Sequence, residues 1–126
     1  MLGASIIVAT YNRAKGLGRV LEAMRDQDYE GEYEIIVVDD GSMDNTPEIA
    51  RGYPVRFFSQ EHKGPAAARN LAIKNARYPV VVVMDDDCLP EKGWLGELME
   101  GFKGENVGIV SSFSYYGGTS TANLKK

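Results

Sequence analysis

Apolar residues fall along this chain in short, nearly continuous runs separated by amphipathic stretches. The runs SIIVAT (residues 5–10), YEIIVVD (33–39), VRFFS (55–59), VVVVMD (80–85) and VGIVSS (107–112) are rich in Val, Ile and Phe. Runs of this kind suit strands covered on both faces, as in a parallel sheet. Between them, Leu17, Val20, Leu21 and Met24 recur at helical spacing and form one apolar stripe. Thr46 followed by Pro47 reads as the N-cap and first residue of a short second helix ending near Gly52. Gly64 and Pro65 open an alanine-rich third helix, in which Ala68, Leu71 and Ala72 share a face suited to close approach to a sheet. A fourth helix is expected over residues 94–102, with Leu95, Leu98, Met99 and Phe102 inward. Strands alternating with crossover helices predict an α/β fold: a doubly wound, mostly parallel sheet flanked by helices, with right-handed connections.

This architecture places the polar clusters. Ligands of open α/β sheets bind outside the carboxyl ends of the strands, where the strand order reverses. The residues following the strands are Tyr11, Asn12 and Arg13; Asp39, Asp40, Gly41 and Ser42; residues 60–64; and Asp85, Asp86 and Asp87. All should share one rim if the order reverses near the first and fourth strands.

Composition narrows the class. The chain has 126 residues, 44% of them hydrophobic and 25% charged, which fits a single domain spanning residues 1–126. No apolar run approaches the length of a membrane span, and MLGASIIV lacks the basic region and cleavage site of a signal peptide. One cysteine, Cys88, excludes an intrachain disulfide and suits a reducing, cytoplasmic compartment. The net charge of −4 argues against nucleic-acid binding. The final stretch, YYGGTSTANLKK, loses apolar periodicity and reads as a loose end.

The three adjacent aspartates admit two readings. Runs of like charge are usually solvated, and an acidic turn before Leu89 and Pro90 would serve that purpose. At a ligand-binding rim, the same hard oxygens suit Mg²⁺ or Mn²⁺. An Asx-type turn accounts for one of Asp39 and Asp40 together with Gly41 and leaves the second aspartate unexplained. Lys63 and Arg69 supply positive charge nearby, although solvation is the ordinary state of either residue. A rim with acidic clusters, two cations and the aromatic Tyr11 suits a ligand containing a base, a ribose and a diphosphate. A divalent cation must then bridge the aspartates and the phosphates. No G-x-x-x-x-G-K-[ST] and no G-x-G-x-x-G after the first strand is present, so neither a P-loop nor a dinucleotide fingerprint is supported. A receiver-like domain would end its first strand in acids, whereas this one ends in Ala9, Thr10 and Tyr11. His62 reads as a surface histidine, Trp94 as a packing residue or an acceptor contact, and Met43, Met84 and Met99 as fillers.

The motifs IIVATYNR, EIIVVDDGSMDNT, KGPAAARNLAIKNA and VVVMDDDCLP resemble, in order and spacing, those of the family 2 glycosyltransferases. These are inverting enzymes of the GT-A fold, Rossmann-like, that use nucleotide sugars. The resemblance implies that Tyr11 packs on or beside the nucleobase, with the backbone of Ala9 and Thr10 shaping its pocket. Asp40 would bond the base, usually uracil, with Asp39 in support, and Arg69 and Lys63 would approach the nucleotide. Asp85, Asp86 and Asp87 look like the D-x-D motif: Asp86 on the ribose, Asp87 on the metal, Asp85 supporting both. Ala9 departs from the Pro or Thr common in the family.

The family's general base is an acid from the later half of the domain, and no carboxylate follows Asn106 in this sequence. The chain therefore reads as the truncated donor half of an enzyme whose acceptor is a sugar, lipid or protein hydroxyl, with any membrane association residing in the absent part. An uncovered edge at residues 107–110, with Phe113, Tyr115 and Tyr116, would invite homo-oligomerisation. Two other classes remain: a nucleotide-binding module without turnover, and a self-associating α/β module without ligand.

Overall fold

The structure, a computed structural model, describes residues 1–101, 108–112 and 122–125. In chain order its elements are β1 (Ala4–Thr10), α1 (Leu17–Arg25), β2 (Tyr33–Asp39), α2 (Thr46–Arg51), β3 (Arg56–Ser59), α3 (Pro65–Lys74), β4 (Val80–Met84), α4 (Trp94–Met99), β5 (Gly108–Ser112) and β6 (Ala122–Lys125). The six strands form one sheet in the order β3-β2-β1-β4-β5-β6, parallel except for the antiparallel β5–β6 pair. The order reverses between β1 and β4, which meets the condition for the strand-end residues to share one rim.

Alternation along the central strands sorts their side chains between two cores. Ile6, Val8, Ile35, Val37, Val80 and Val82 meet the buried stripe of α1, Leu17, Val20, Leu21 and Met24. Ile7, Ile36, Val38 and Val81 meet Ala68 and Ala72 of α3 on the opposite face. The two alanines let α3 lie close to the sheet, as expected. Each fully buried aliphatic side chain contributes about 2 kcal/mol, so β1 and β4 form a firm base for whatever follows their carboxyl ends.

Three expectations are corrected. The segment read as a loose end contains β6, whose backbone pairs with residues 109–112 of β5. The edge expected to be open at β5 is thus occupied and β6 becomes the edge; Val107, Phe113, Tyr115, Tyr116 and Phe102, the last of these expected to face inward, lie outside the described residues. Helix α2 begins at Thr46 itself, with Asn45 at the N-cap, because the Thr46 hydroxyl is turned to accept from the Arg13 N–H at 2.9 Å.

Helix α4 shares the core of α1 and α2, not that of α3. Gln27 ties it there. Its Nε2 donates to the Ala23 carbonyl at 3.0 Å and the Glu91 carbonyl at 2.9 Å, and its Oε1 accepts from the Leu95 N–H at 2.9 Å. The Asp28 N–H adds a bond to the Lys92 carbonyl at 2.8 Å, fastening the start of α4 to the end of α1.

At the opposite end of the sheet from the rim, Glu34 is a polar anchor. Its carboxylate accepts from the Ser5 hydroxyl at 2.6 Å, the Arg77 N–H at 2.7 Å and Arg56 Nη1 at 3.0 Å. Burial pushes its pKa up, but these hydrogen bonds and the Arg56 charge outweigh it and hold the carboxyl below its ordinary value. A depressed folded-state pKa stabilises above the unfolded value, and that contribution is lost as pH falls through the folded one. Glu34→Gln is expected to lower stability by about 1–2 kcal/mol at pH 7. Thermal melts should show the gap to the parent closing below about pH 4; a gap independent of pH would contradict the assignment.

Candidate functional site

A cleft of about 380 Å³ opens outside the carboxyl ends of the strands, at the reversal between β1 and β4. The ends of the first four strands contribute to it. Ala9, Thr10, Tyr11 and Arg13 come from β1 and its loop, Asp40 from the end of β2, and His62, Pro65 and Arg69 from the loop after β3 and from α3. Met84, Asp85, Asp86 and Asp87 come from the end of β4.

The first two loops are locked together by side-chain to backbone bonds. The Asn12 N–H donates to Ser42 Oγ at 2.8 Å, and Asn12 Oδ1 accepts from the Met43 N–H at 2.8 Å. The Ala14 N–H donates to Asp44 at 3.3 Å, and Asp44 in turn accepts from the Thr46 N–H at 3.0 Å and from its hydroxyl. Asn12 sits at φ 51°, a conformation that asparagine tolerates better than most residues. Gly41 is required in this turn: its φ is 81°, and a Cβ there would lie 2.9 Å from the His62 backbone nitrogen. The polar residues of the GSMDNT segment thus serve mainly to clamp the loop that carries Tyr11 and Arg13.

The two aspartates ending β2 divide their work. Asp39 is buried and accepts from the Ser42 N–H at 2.9 Å and from its hydroxyl. It is not among the cleft-lining residues and shapes the turn from behind. Asp40 lines the cleft although it is only 3% exposed. Its Oδ1 accepts from the Lys63 N–H at 2.7 Å and Gln60 Nε2 at 2.9 Å. Its Oδ2 accepts from the Gly64 N–H at 3.0 Å and lies 3.1 Å from His62 Nδ1. Burial pushes the Asp40 carboxyl up, but the bonds from Lys63, Gln60 and Gly64 and the proximity of His62 hold it below its ordinary value.

Lys63 therefore enters through its backbone. Its side chain is exposed and outside the cleft lining. Arg69 does line the cleft, with Nη2 4.0 Å from Asp85 Oδ1. Arg13 belongs to the site too: its Nε lies 3.8 Å from Asp86 Oδ1 and, like the Thr10 hydroxyl, is buried without a hydrogen-bond partner. Both atoms belong to cleft-lining residues and carry unused hydrogen-bonding capacity. His62, read from sequence as a plain surface residue, is 62% exposed, yet its ring centroid lies 4.4 Å from that of Tyr11. The signal for both residues was position, each following a strand end; no spacing to a partner marked them. Trp94 is buried in the α1 core, which settles it as a packing residue.

In the β4 loop, one oxygen each from Asp85 and Asp87 and the Cys88 sulfur come within 4.8 Å of one another. Asp85 and Asp87 are exposed and Cys88 is buried, so the oxygens are the ligands offered to the cleft. Burial pushes the pKa of Asp86 up and the charges of Asp87 and Asp85 add to it, while the Arg13 charge opposes it. Three carboxylates under mutual repulsion, with two hard oxygens turned outward, fit a divalent cation such as Mg²⁺ or Mn²⁺. No helix among the described residues is long and apolar enough to cross a membrane.

The chain is similar to known proteins in both sequence and structure. The sequence profile described as Glycosyl transferase family 2 matches residues 5–126. Glycosyltransferase AglE of Haloferax volcanii is 33% identical over 128 aligned residues, covering 94% of this chain and 42% of AglE. Staphylococcus aureus TarS 1-349, solved in complex with UDP, superposes with a TM-score of 0.72 at 31% identity, covering 79% of this chain and 31% of that one. The mannosyltransferase PcManGT of Pyrobaculum calidifontis, solved with GDP-Man and Mn²⁺, gives a TM-score of 0.74 at 30% identity, covering 83% of this chain and 33% of that one. The chain thus spans less than half the length of each of these proteins.

Proposed function

Because this chain belongs to glycosyl transferase family 2, we propose that its cleft holds a nucleotide-sugar donor, UDP-linked, for inverting transfer of the sugar to a hydroxyl acceptor. One observation carries the reading. A single cleft joins an aromatic face and a buried carboxylate, Tyr11 and Asp40, to an aspartate cluster suited to a cation, Asp85 and Asp87.

In this arrangement Tyr11 and the backbone of Ala9 and Thr10 support the base, and Asp40 accepts from its polar edge with Asp39 holding the turn. Asp86 takes the ribose hydroxyls. Asp87, supported by Asp85, holds Mn²⁺ or Mg²⁺ against the diphosphate. A cation bound there stabilises the negative charge that grows on the departing nucleoside diphosphate. Arg69 adds positive charge from the cleft wall, and Lys63 contributes through its backbone N–H on Asp40. None of these residues is assigned as the general base that takes the acceptor's proton. The acceptor is a hydroxyl of a sugar, lipid or protein.

Calorimetric titration of UDP, GDP and dTDP with and without Mn²⁺ tests the reading. Micromolar binding that requires the metal and favours UDP is expected. Failure of every nucleotide to bind would overturn it in favour of a self-associating α/β module. A nucleotide-binding module would bind but yield no product when an acceptor is supplied.

A further inference from the structure

The imidazole of His62 makes the two contacts assigned above to the nucleobase. Its ring packs against Tyr11 at 4.4 Å between centroids, tilted by 37°. Its Nδ1 lies 3.1 Å from the Asp40 carboxylate and 3.1 Å from the Asp40 carbonyl oxygen. Both partners are acceptors, so Nδ1 carries a proton, and it presents to Asp40 the same ring N–H that an imide-bearing base presents. Counting Gln60, Lys63, Gly64 and His62, the carboxylate already has four donors, which fills its accepting capacity. Of these four, the two backbone donors are fixed by the start of α3, while His62 is a side chain and 62% exposed.

We infer that His62 is a resident placeholder for the nucleobase, a ring that occupies the Tyr11–Asp40 position and must turn out to admit a base. The inference rests on the donor-site reading above. His62 then sets donor affinity by competition, since every base that enters must displace the imidazole from both Tyr11 and Asp40. Turning outward leaves Nδ1 accessible to solvent, so the displaced ring loses no hydrogen bond. The loop need not unfold, because Lys63 and Gly64 keep their backbone bonds to Asp40.

The test compares the unaltered chain with His62→Ala in calorimetric titration of UDP in the presence of Mn²⁺. Removal of a stacked, hydrogen-bonded competitor should tighten UDP binding by about fivefold. His62→Phe, which retains a ring beside Tyr11 but cannot bond Asp40, should fall between the two. Equal or weaker binding by His62→Ala overturns the placeholder and makes the imidazole a bystander or a direct contact to the base. Binding by the unaltered chain in that case leaves the donor-site reading standing. Absence of binding in both proteins removes the donor site and the placeholder with it.

Discussion

Asp87→Ala is expected to abolish metal-dependent nucleotide binding while leaving the fold intact. The side chain is exposed at the end of β4 and takes no part in either hydrophobic core, so its removal should alter stability by no more than about 0.5 kcal/mol. Its effect on the ligand should be far larger. Loss of a group that merely orients a metal ligand costs 10- to 100-fold, so loss of a ligand oxygen should exceed about 100-fold in UDP affinity with Mn²⁺ present. The residual affinity should match that of the parent with metal chelated. Unchanged affinity with Mn²⁺ would sink the assignment of Asp87 to the cation, whatever nucleotide is bound.

The second large effect is of the opposite kind, on stability and binding together. Asp40→Ala strips the acceptor from the Lys63 and Gly64 N–H groups and from Gln60, in a position only 3% exposed. Part-buried donors left without a partner are costly, and denaturant unfolding should show a loss of about 1–3 kcal/mol. Uridine and UDP binding should weaken as well, measured below the unfolding transition. Asp40→Asn is not a mild variant, because its amide would turn a donor toward the Gly64 N–H and His62 or toward Lys63 and Gln60. A variant that folds as stably as the parent would show that the carboxylate does not secure the loop after β3.

What could be read from the sequence was whatever local pattern dictates. The Val and Ile runs of β1, β2 and β4 leave no other interpretation than doubly covered strands, and the reversal of order then places Tyr11, Asp40 and Asp85 on one rim. Tertiary contacts hid the rest. Residues 122–125, ANLK, alternate over only four positions, too few to mark a strand, so β6 is visible only once β5 offers it an edge. The face taken by α4 depends on Gln27, a residue whose single amide meets two elements far apart in sequence. Lys63 looked like a cation for the ligand, yet its described contribution is a backbone N–H. His62 had no partner spacing because its partners, Tyr11 and Asp40, come from two other strands.

The clamp made by Gln27 bears on the aspartates in a way that distance conceals. Residues 85–93 leave β4 and would form a long, loosely closed segment if only the strand held them. The bonds from Gln27 to Glu91 and Leu95, and from Asp28 to Lys92, fix the far end of that segment to α1. A chain pinned at both ends samples fewer conformations, so less entropy remains to be lost when a cation draws Asp85 and Asp87 together. Folding has already met that cost, so on the proposed reading an amide on the far side of the domain would set part of the affinity of the cleft for a cation.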